Sequence, residues 1–206
     1  MLRFFLMYEE FYMINIVVVY HSGYGHTQKQ AEAVLYGLAE DSDVEAILLP
    51  IDSEGNISDV GWESLAAADT IIFGSPTYMG TVSWQFKKFA DASSKQWFEQ
   101  KWKDKLVAGF TNSSGMNGDK LSTLHYMFTL SMQHSMIWVG PGIMPASSKA
   151  AQRNDINYID SFVGLMAQSP TDASVQEAPL PGDLATAKIF GERVASISKR
   201  WVRKDS

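Results

Sequence analysis

The sequence predicts an α/β chain: five parallel strands in one doubly wound sheet, with helices on both faces. Three observations carry this. Ile14 to Tyr20 is an almost continuous apolar run, as expected of a strand buried on both sides. Short β-branched runs then alternate with longer stretches whose apolar residues recur every three or four positions. Each strand is separated from the next by such a stretch, which implies right-handed helical crossovers rather than hairpins.

The elements follow in order. Strand one is Ile14 to Tyr20. Gly25 to Glu40 is a helix, with Ala31, Val34, Leu35 and Leu38 on its apolar face. Val44 to Leu49 is strand two, closed by Pro50, and a loop with Gly55 and Asn56 leads to a short helix near Trp62 to Ala68. Thr70 to Phe73 is strand three. Val82 to Phe98 is a helix that places Trp84, Phe86, Phe89 and Ala90 among its apolar positions. Lys105 to Thr111 is strand four, Leu121 to Gln133 a helix, and Met136 to Val139 strand five. Residues 140–181 form a long connection with five prolines, and a connection of that length is functional or carries small elements of its own. The last helix runs from Asp183 to about Arg203, with Asp183 in its first turn and Lys199, Arg200 and Arg203 in its last, which suits the helix dipole.

With 206 residues, no internal repeat and no linker, the chain reads as one domain over residues 14–203, preceded by residues 1–13. Met13 stands immediately before strand one. The preceding segment is therefore an extension, the product of a start codon assigned too early, or an ordinary tail that packs somewhere. Glu9 and Glu10 interrupt its short apolar stretch, so it makes a poor signal peptide. No apolar run reaches the ~18 residues of a membrane span, and a cytoplasmic location is expected. The net charge of −6 argues against a nucleic-acid partner, which calls for a basic stripe. The absence of cysteine excludes disulfides, thiolate metal sites and cysteine nucleophiles together. Redox chemistry would need a bound cofactor, and no metal site is assigned.

In a sheet of this kind ligands bind at the carboxyl ends of the strands, and three of the loops expected there are unusual. Ser22-Gly23-Tyr24-Gly25-His26-Thr27 joins strand one to its helix. Two glycines allow a sharp turn, hydroxyls add donors, and the helix N-terminus favours an anion. It lacks the third glycine of a dinucleotide fingerprint and the Gly-Lys-Ser/Thr ending of a triphosphate loop. Next, Ser75-Pro76-Thr77-Tyr78-Met79-Gly80 follows strand three. Pro76 fixes the backbone, and Tyr78 and Met79 either lie against a flat ligand or cap the loop from solvent. Finally, Thr111-Asn112-Ser113-Ser114-Gly115-Met116-Asn117-Gly118 follows strand four. Its small polar residues could present amides to the heteroatom edge of a ring, although such runs are also ordinary turns.

Together these residues resemble the flavodoxin-like flavoproteins, and within them the WrbA-type NAD(P)H:quinone oxidoreductases and the related FMN reductases. The resemblance spans Ile14 to Trp201. It rests on Ser22-x-Tyr24-Gly25-His26, on Gly74-Ser75-Pro76-Thr77-Tyr78 with Gly80, and on Phe89-Ala90-Asp91 with Trp97 beyond. Phe110-Thr111-Asn112-Ser113, His134-Ser135-Met136 with Val139-Gly140, and Gly191-Glu192-Arg193-Val194-Ala195 complete it. It implies sheet order 2-1-3-4-5 and non-covalent FMN, with NADH or NADPH as donor and a quinone-like acceptor, in a homodimer or homotetramer. By carry-over, Ser22, Gly23, Tyr24, Gly25, His26 and Thr27 hold the phosphate. Pro76, Thr77, Tyr78, Met79 and Gly80 flank the isoalloxazine, while Thr111, Asn112, Ser113, Ser114, Gly118 and His134 line its pyrimidine end. His134 is the one catalytic candidate and otherwise a structural histidine. Trp97 contacts substrate, across a subunit boundary, or is a core or interface residue. Met116-Asn117 stands where the family commonly has His-Gly, and 145–169 lacks its Ser-Pro-Tyr-Gly-Ala form, which puts substrate contacts in question more than FMN. Alternatives are a flavodoxin-type electron carrier and a non-enzymatic flavin-binding module. A phosphorylated receiver is disfavoured because Val19-Tyr20-His21 offers no acidic residue, and a serine hydrolase because Gly-x-Ser-x-Gly is absent.

Overall fold

The structure, a computed structural model, describes residues 13–202; the segment 1–12 and Arg203 lie outside the described residues. The elements are β1 (Ile14–Tyr20), α1 (His26–Leu38), β2 (Val44–Pro50), α2 (Asp59–Ala67), β3 (Thr70–Tyr78), β4 (Thr81–Val82), α3 (Trp84–Ala92), α4 (Ser94–Phe98), β5 (Leu106–Ser113), α5 (Lys120–Gln133), β6 (Ile137–Trp138), β7 (Leu165–Gln168) and α6 (Pro181–Val202).

The strands β2-β1-β3-β5 are parallel neighbours, as the α/β reading requires. The position beyond β5 is shared by two short strands. β6 pairs with Leu106 and Val107 at the start of β5, whereas β7 pairs with Phe110 to Ser113 at its end. The order 2-1-3-4-5 thus holds by position, but the expected Met136–Val139 strand supplies only the first half of the edge. Between the halves the chain leaves the sheet and returns. Trp138 closes this excursion by donating its indole N–H to the Val163 carbonyl at 2.7 Å. β7 was hidden within the 140–181 connection because Leu165-Met-Ala-Gln168 contains no β-branched residue.

Alternate residues of β1 serve opposite cores, which explains its unbroken apolar run. Ile14, Ile16, Val18 and Tyr20 pack with Val34 and Leu38 of α1 and Phe190 and Val194 of α6. Val17 and Val19 face Leu65 of α2, Phe86 and Phe89 of α3, and Leu124 and Met127 of α5. Around the buried Trp102 the rings of Phe73, Phe86 and Phe89 mesh at centroid separations of 5.6–6.5 Å. Each such ring contributes roughly 1.5–3 kcal/mol by leaving water.

Two expected elements differ in detail. The helix predicted over Val82–Phe98 is two helices, α3 and α4, divided at Ser93. The Ser93 hydroxyl donates to the Ala90 carbonyl at 2.6 Å, a local bond that competes with helix continuation. At the front of α3, Ser83 accepts from the Phe86 amide and fixes the start at Trp84, two residues later than expected. β3 is longer than Thr70–Phe73. It runs on to Tyr78 and turns through Met79 (φ 47°) and Gly80 (φ 83°) into β4. Positive φ at both central residues of a two-residue connection suits the twist of a hairpin.

Candidate functional site

β1, β3 and β5 end side by side, so the three unusual loops meet over the carboxyl edge of the sheet. They border a cleft of about 740 Å³, lined by Tyr24, His26 and Thr27, by Pro76, Thr77 and Tyr78, and by Asn112, Ser113 and Ser114. That volume is typical of a cofactor or drug-sized ligand. Its fourth wall is the segment after β7, where Ser169, Pro170, Thr171, Ala173, Ser174 and Val175 face the same space. Sequence reasoning missed these residues. The length of the 140–181 connection was the available signal, but without β7 nothing placed its turn at the cleft.

In the first loop Gly25 takes φ 88°, a left-handed conformation, and opens α1 without a side-chain cap. The amides of Tyr24, Gly25, His26 and Thr27 donate to no acceptor among the described residues, leaving four convergent donors at a positive helix end. The Ser22 hydroxyl accepts from the Gln28 amide at 3.1 Å and steadies the turn. Nε2 of His26 lies 3.1 Å from the Ala173 carbonyl, so that nitrogen carries the proton and ties the loop to the fourth wall. Ser22, Gly23 and Gly25 therefore shape the loop backbone, and Tyr24, His26 and Thr27 reach the cleft. No Lys or Arg is among the lining residues, so an anion here would be held by neutral donors.

The second loop bends over the first. A Cβ at Gly23 would stand 2.5 Å from the Tyr78 phenol oxygen, so glycine lets that ring lie where it does and a larger residue would shift it. Tyr24 meets Tyr78 edge-on, with centroids 6.3 Å apart. Burial, and then the neighbouring Tyr24, push the Tyr78 phenol above its ordinary pKa, leaving it neutral at physiological pH. Met79 and Gly80 do not line the main cleft, contrary to expectation. The hairpin carries them to its tip, where Met79 is fully exposed beside a shallower hollow of about 590 Å³ shared with Trp84.

The third loop corrects two more expectations. The Thr111 hydroxyl faces inward and joins a buried triad in which Thr77 bonds to both Thr111 and Thr123 at 2.8 Å. Gly118, at φ 54°, is not among the lining residues and curls the loop backbone, and a Cβ there would lie 2.3 Å from the Ser113 hydroxyl. Asn112 accepts from the Ser169 hydroxyl at 3.1 Å, which joins this loop to the fourth wall. Beneath the loop lies Lys120, the first residue of α5, fully buried. Its ammonium donates to the carbonyls of Gly115, Met116 and Asn117. Burial pulls its pKa down to about 8, partly opposed by Asp183. Sequence reasoning did not single out this lysine, since one cation at a helix start ordinarily points to solvent.

His134 and Trp97 are not brought to the cleft of their own chain. His134 caps the C-terminus of α5, at the opposite edge of the sheet from the loops. Its Nε2 bonds to the Ser93 hydroxyl at 2.8 Å and its ring lies 4.3 Å from that of Trp102. Desolvation drops its pKa to about 4, so it is neutral. These are the surroundings of a core histidine. Trp97 stands on α4, 45% exposed and beside an even more exposed Phe98, so it is not a core residue either.

Comparison with known proteins agrees with this geometry. Residues 25–151 match the family model described as NADPH-dependent FMN reductase. A "flavodoxin, WrbA-like protein" of known structure from Agrobacterium tumefaciens is 49% identical and superimposes with a TM-score of 0.73 over 91% of this chain and 98% of its own. The chain belongs to the flavodoxin-like, WrbA-type family. Among relatives, "Flavodoxin FldP" of Pseudomonas aeruginosa is 50% identical, the match covering 91% of this chain and 98% of that protein. An "NAD(P)H dehydrogenase (quinone)" of Archaeoglobus fulgidus is 31% identical, with 91% and 99% covered. Residues 24, 26 and 27, 76–78 and 112–114 come from three of the segments on which the resemblance rests, and they border one cleft.

Proposed function

We propose that this chain binds FMN in the cleft above β1, β3 and β5 and passes two electrons from NAD(P)H to a quinone-like acceptor. The observation that carries it is the convergence of two donor-rich loops on one cleft. Unpaired amides of residues 24–27 stand at one end, and the polar 112–114 segment stands at the other. The first suits a phosphate without cationic help. The second suits the heteroatoms of a flavin ring, with Pro76 and Tyr78 beside it.

When bound, the flavin accepts and returns the electrons, and the protein supplies orientation and electrostatics. No side chain lining the cleft has to act as acid or base, and His134 is withdrawn from that role. Tyr78 and the fourth wall at Pro170–Val175 restrict water on two sides. The hollow beside Met79 and Trp84 leaves an approach for a second planar molecule next to Tyr78.

A second reading is a carrier that receives electrons from another protein, and the 50% identity to a protein named flavodoxin favours it. Anaerobic addition of NADH and then NADPH to the FMN-loaded protein separates the two. Bleaching of the yellow flavin, followed by reoxidation with a quinone, supports the oxidoreductase. A flavin that stays yellow with both nucleotides, yet is reduced by dithionite, supports the carrier.

A further inference from the structure

Lys120 is a buried cation with an unusual set of partners. An ammonium has three donors, and here all three go to successive backbone carbonyls, those of Gly115, Met116 and Asn117. In a trans peptide the carbonyl and the following N–H point in opposite directions. Drawing these carbonyls inward therefore turns the amides of Met116, Asn117 and Gly118 away from the ammonium and outward. None of the three donates to an acceptor among the described residues, and residues 114–118 are exposed, running on from Ser113 and Ser114 at the cleft. Left-handed conformations at Gly118 and Asp119 complete the curl.

The charge around Lys120 is also organised. Asp183, at the first turn of α6, and Arg153, from the excursion after β6, are the charged groups that act on it. Arg153 and Asp183 form a bidentate pair at 2.7 Å for both bonds, and Asp183 also accepts from the Gln168 amide at 2.9 Å. Gln168 in turn donates its side-chain N–H to the Ser114 carbonyl at 3.0 Å. Two cations and one anion leave an excess positive charge under the loop. With a pKa near 8, Lys120 remains mostly charged at pH 7.

We propose that Lys120 is the positioning residue of this loop: it aims the amides of residues 116–118 at the polar edge of the bound ring, and its charge favours the negative charge that edge gains on reduction. The inference rests on the FMN reading above and adds to it a side chain that touches no ligand.

The test uses Lys120→Met, which keeps length and removes charge, with FMN as probe. Three quantities are read: the Kd of FMN, the two-electron midpoint potential, and hydrogen exchange of the 116–118 amides. FMN should slow exchange at those amides in the wild type. The variant should bind oxidised FMN at least tenfold more weakly and reduced FMN a further tenfold more weakly, moving the midpoint about 30 mV negative. Unchanged affinity and potential in a folded variant overturn the assignment. So does weaker binding with an unchanged potential, which is what lost packing alone would give. If the variant does not fold, wild-type exchange still decides, because amides 116–118 that stay unprotected on FMN binding overturn it. A wild type that binds no FMN overturns the underlying reading as well and is recognised by that alone.

Discussion

Gly37 of α1 and Gly191 of α6 meet backbone to backbone. A Cβ on Gly37 would lie 1.9 Å from the Lys188 carbonyl oxygen, and one on Gly191 would lie 2.2 Å from that of Val34 and 3.1 Å from the Gly37 Cα. These helices cross at backbone contact, and α1 begins at the 22–27 loop. The depth of the crossing therefore sets where the Tyr24–Thr27 amides stand.

Gly191→Ala must push the helices apart, because the opposing atoms are backbone. The expected loss is about 3 kcal/mol, at the upper end of ordinary overpacking. Urea unfolding measures it, and FMN affinity should fall in the same variant because α1 moves. A loss below 1 kcal/mol would show that the crossing is looser than described.

Gly25→Ala acts locally instead. The left-handed backbone costs a residue with a Cβ roughly 1–2 kcal/mol, and that Cβ would approach Val175 to 2.6 Å. FMN affinity should drop at least tenfold, while urea unfolding should lose no more than about 1–2 kcal/mol. Equal affinity for the two proteins would remove the 22–27 loop from the site.

His26→Ala removes the tether to the Ala173 carbonyl. Faster amide exchange at residues 171–175 and a several-fold weaker FMN affinity are expected, without loss of the core. An unchanged exchange pattern would mean that Val175 packing alone holds the fourth wall.

His134 gives a pH signature. Its folded pKa, about 4, lies below the ordinary histidine value, so between those pH values the unfolded chain binds more protons. Its stabilising contribution is complete above pH ~6.5 and is lost as pH falls toward 4. His134→Gln should flatten that part of the stability curve and leave FMN affinity unchanged. Equal slopes in the two proteins, or a weakened FMN complex, would contradict the core placement.

Much of this was legible in the chain because its signals were local. The apolar run at Ile14–Tyr20, the glycines at 23 and 25, and Pro76 each act through the backbone that carries them, and the loops they predicted do meet. Other features depended on tertiary neighbours. Thr111 turns inward because Thr77 of β3 offers it a partner, itself held by Thr123 of α5. Lys120 is buried only because the loop folds back over it. His134 sits in the right part of the motif but at the far end of its helix, and spacing along a sequence does not tell which end of a helix faces the ligand. β7 carries no strand-forming composition and exists by pairing with β5.

Fluorescence titration of FMN into flavin-free protein decides whether the cleft above β1, β3 and β5 holds the flavin. Quenching should saturate at one FMN per chain, with a midpoint at least tenfold higher in Gly25→Ala. Fluorescence that is unchanged at saturating wild-type protein would contradict that placement.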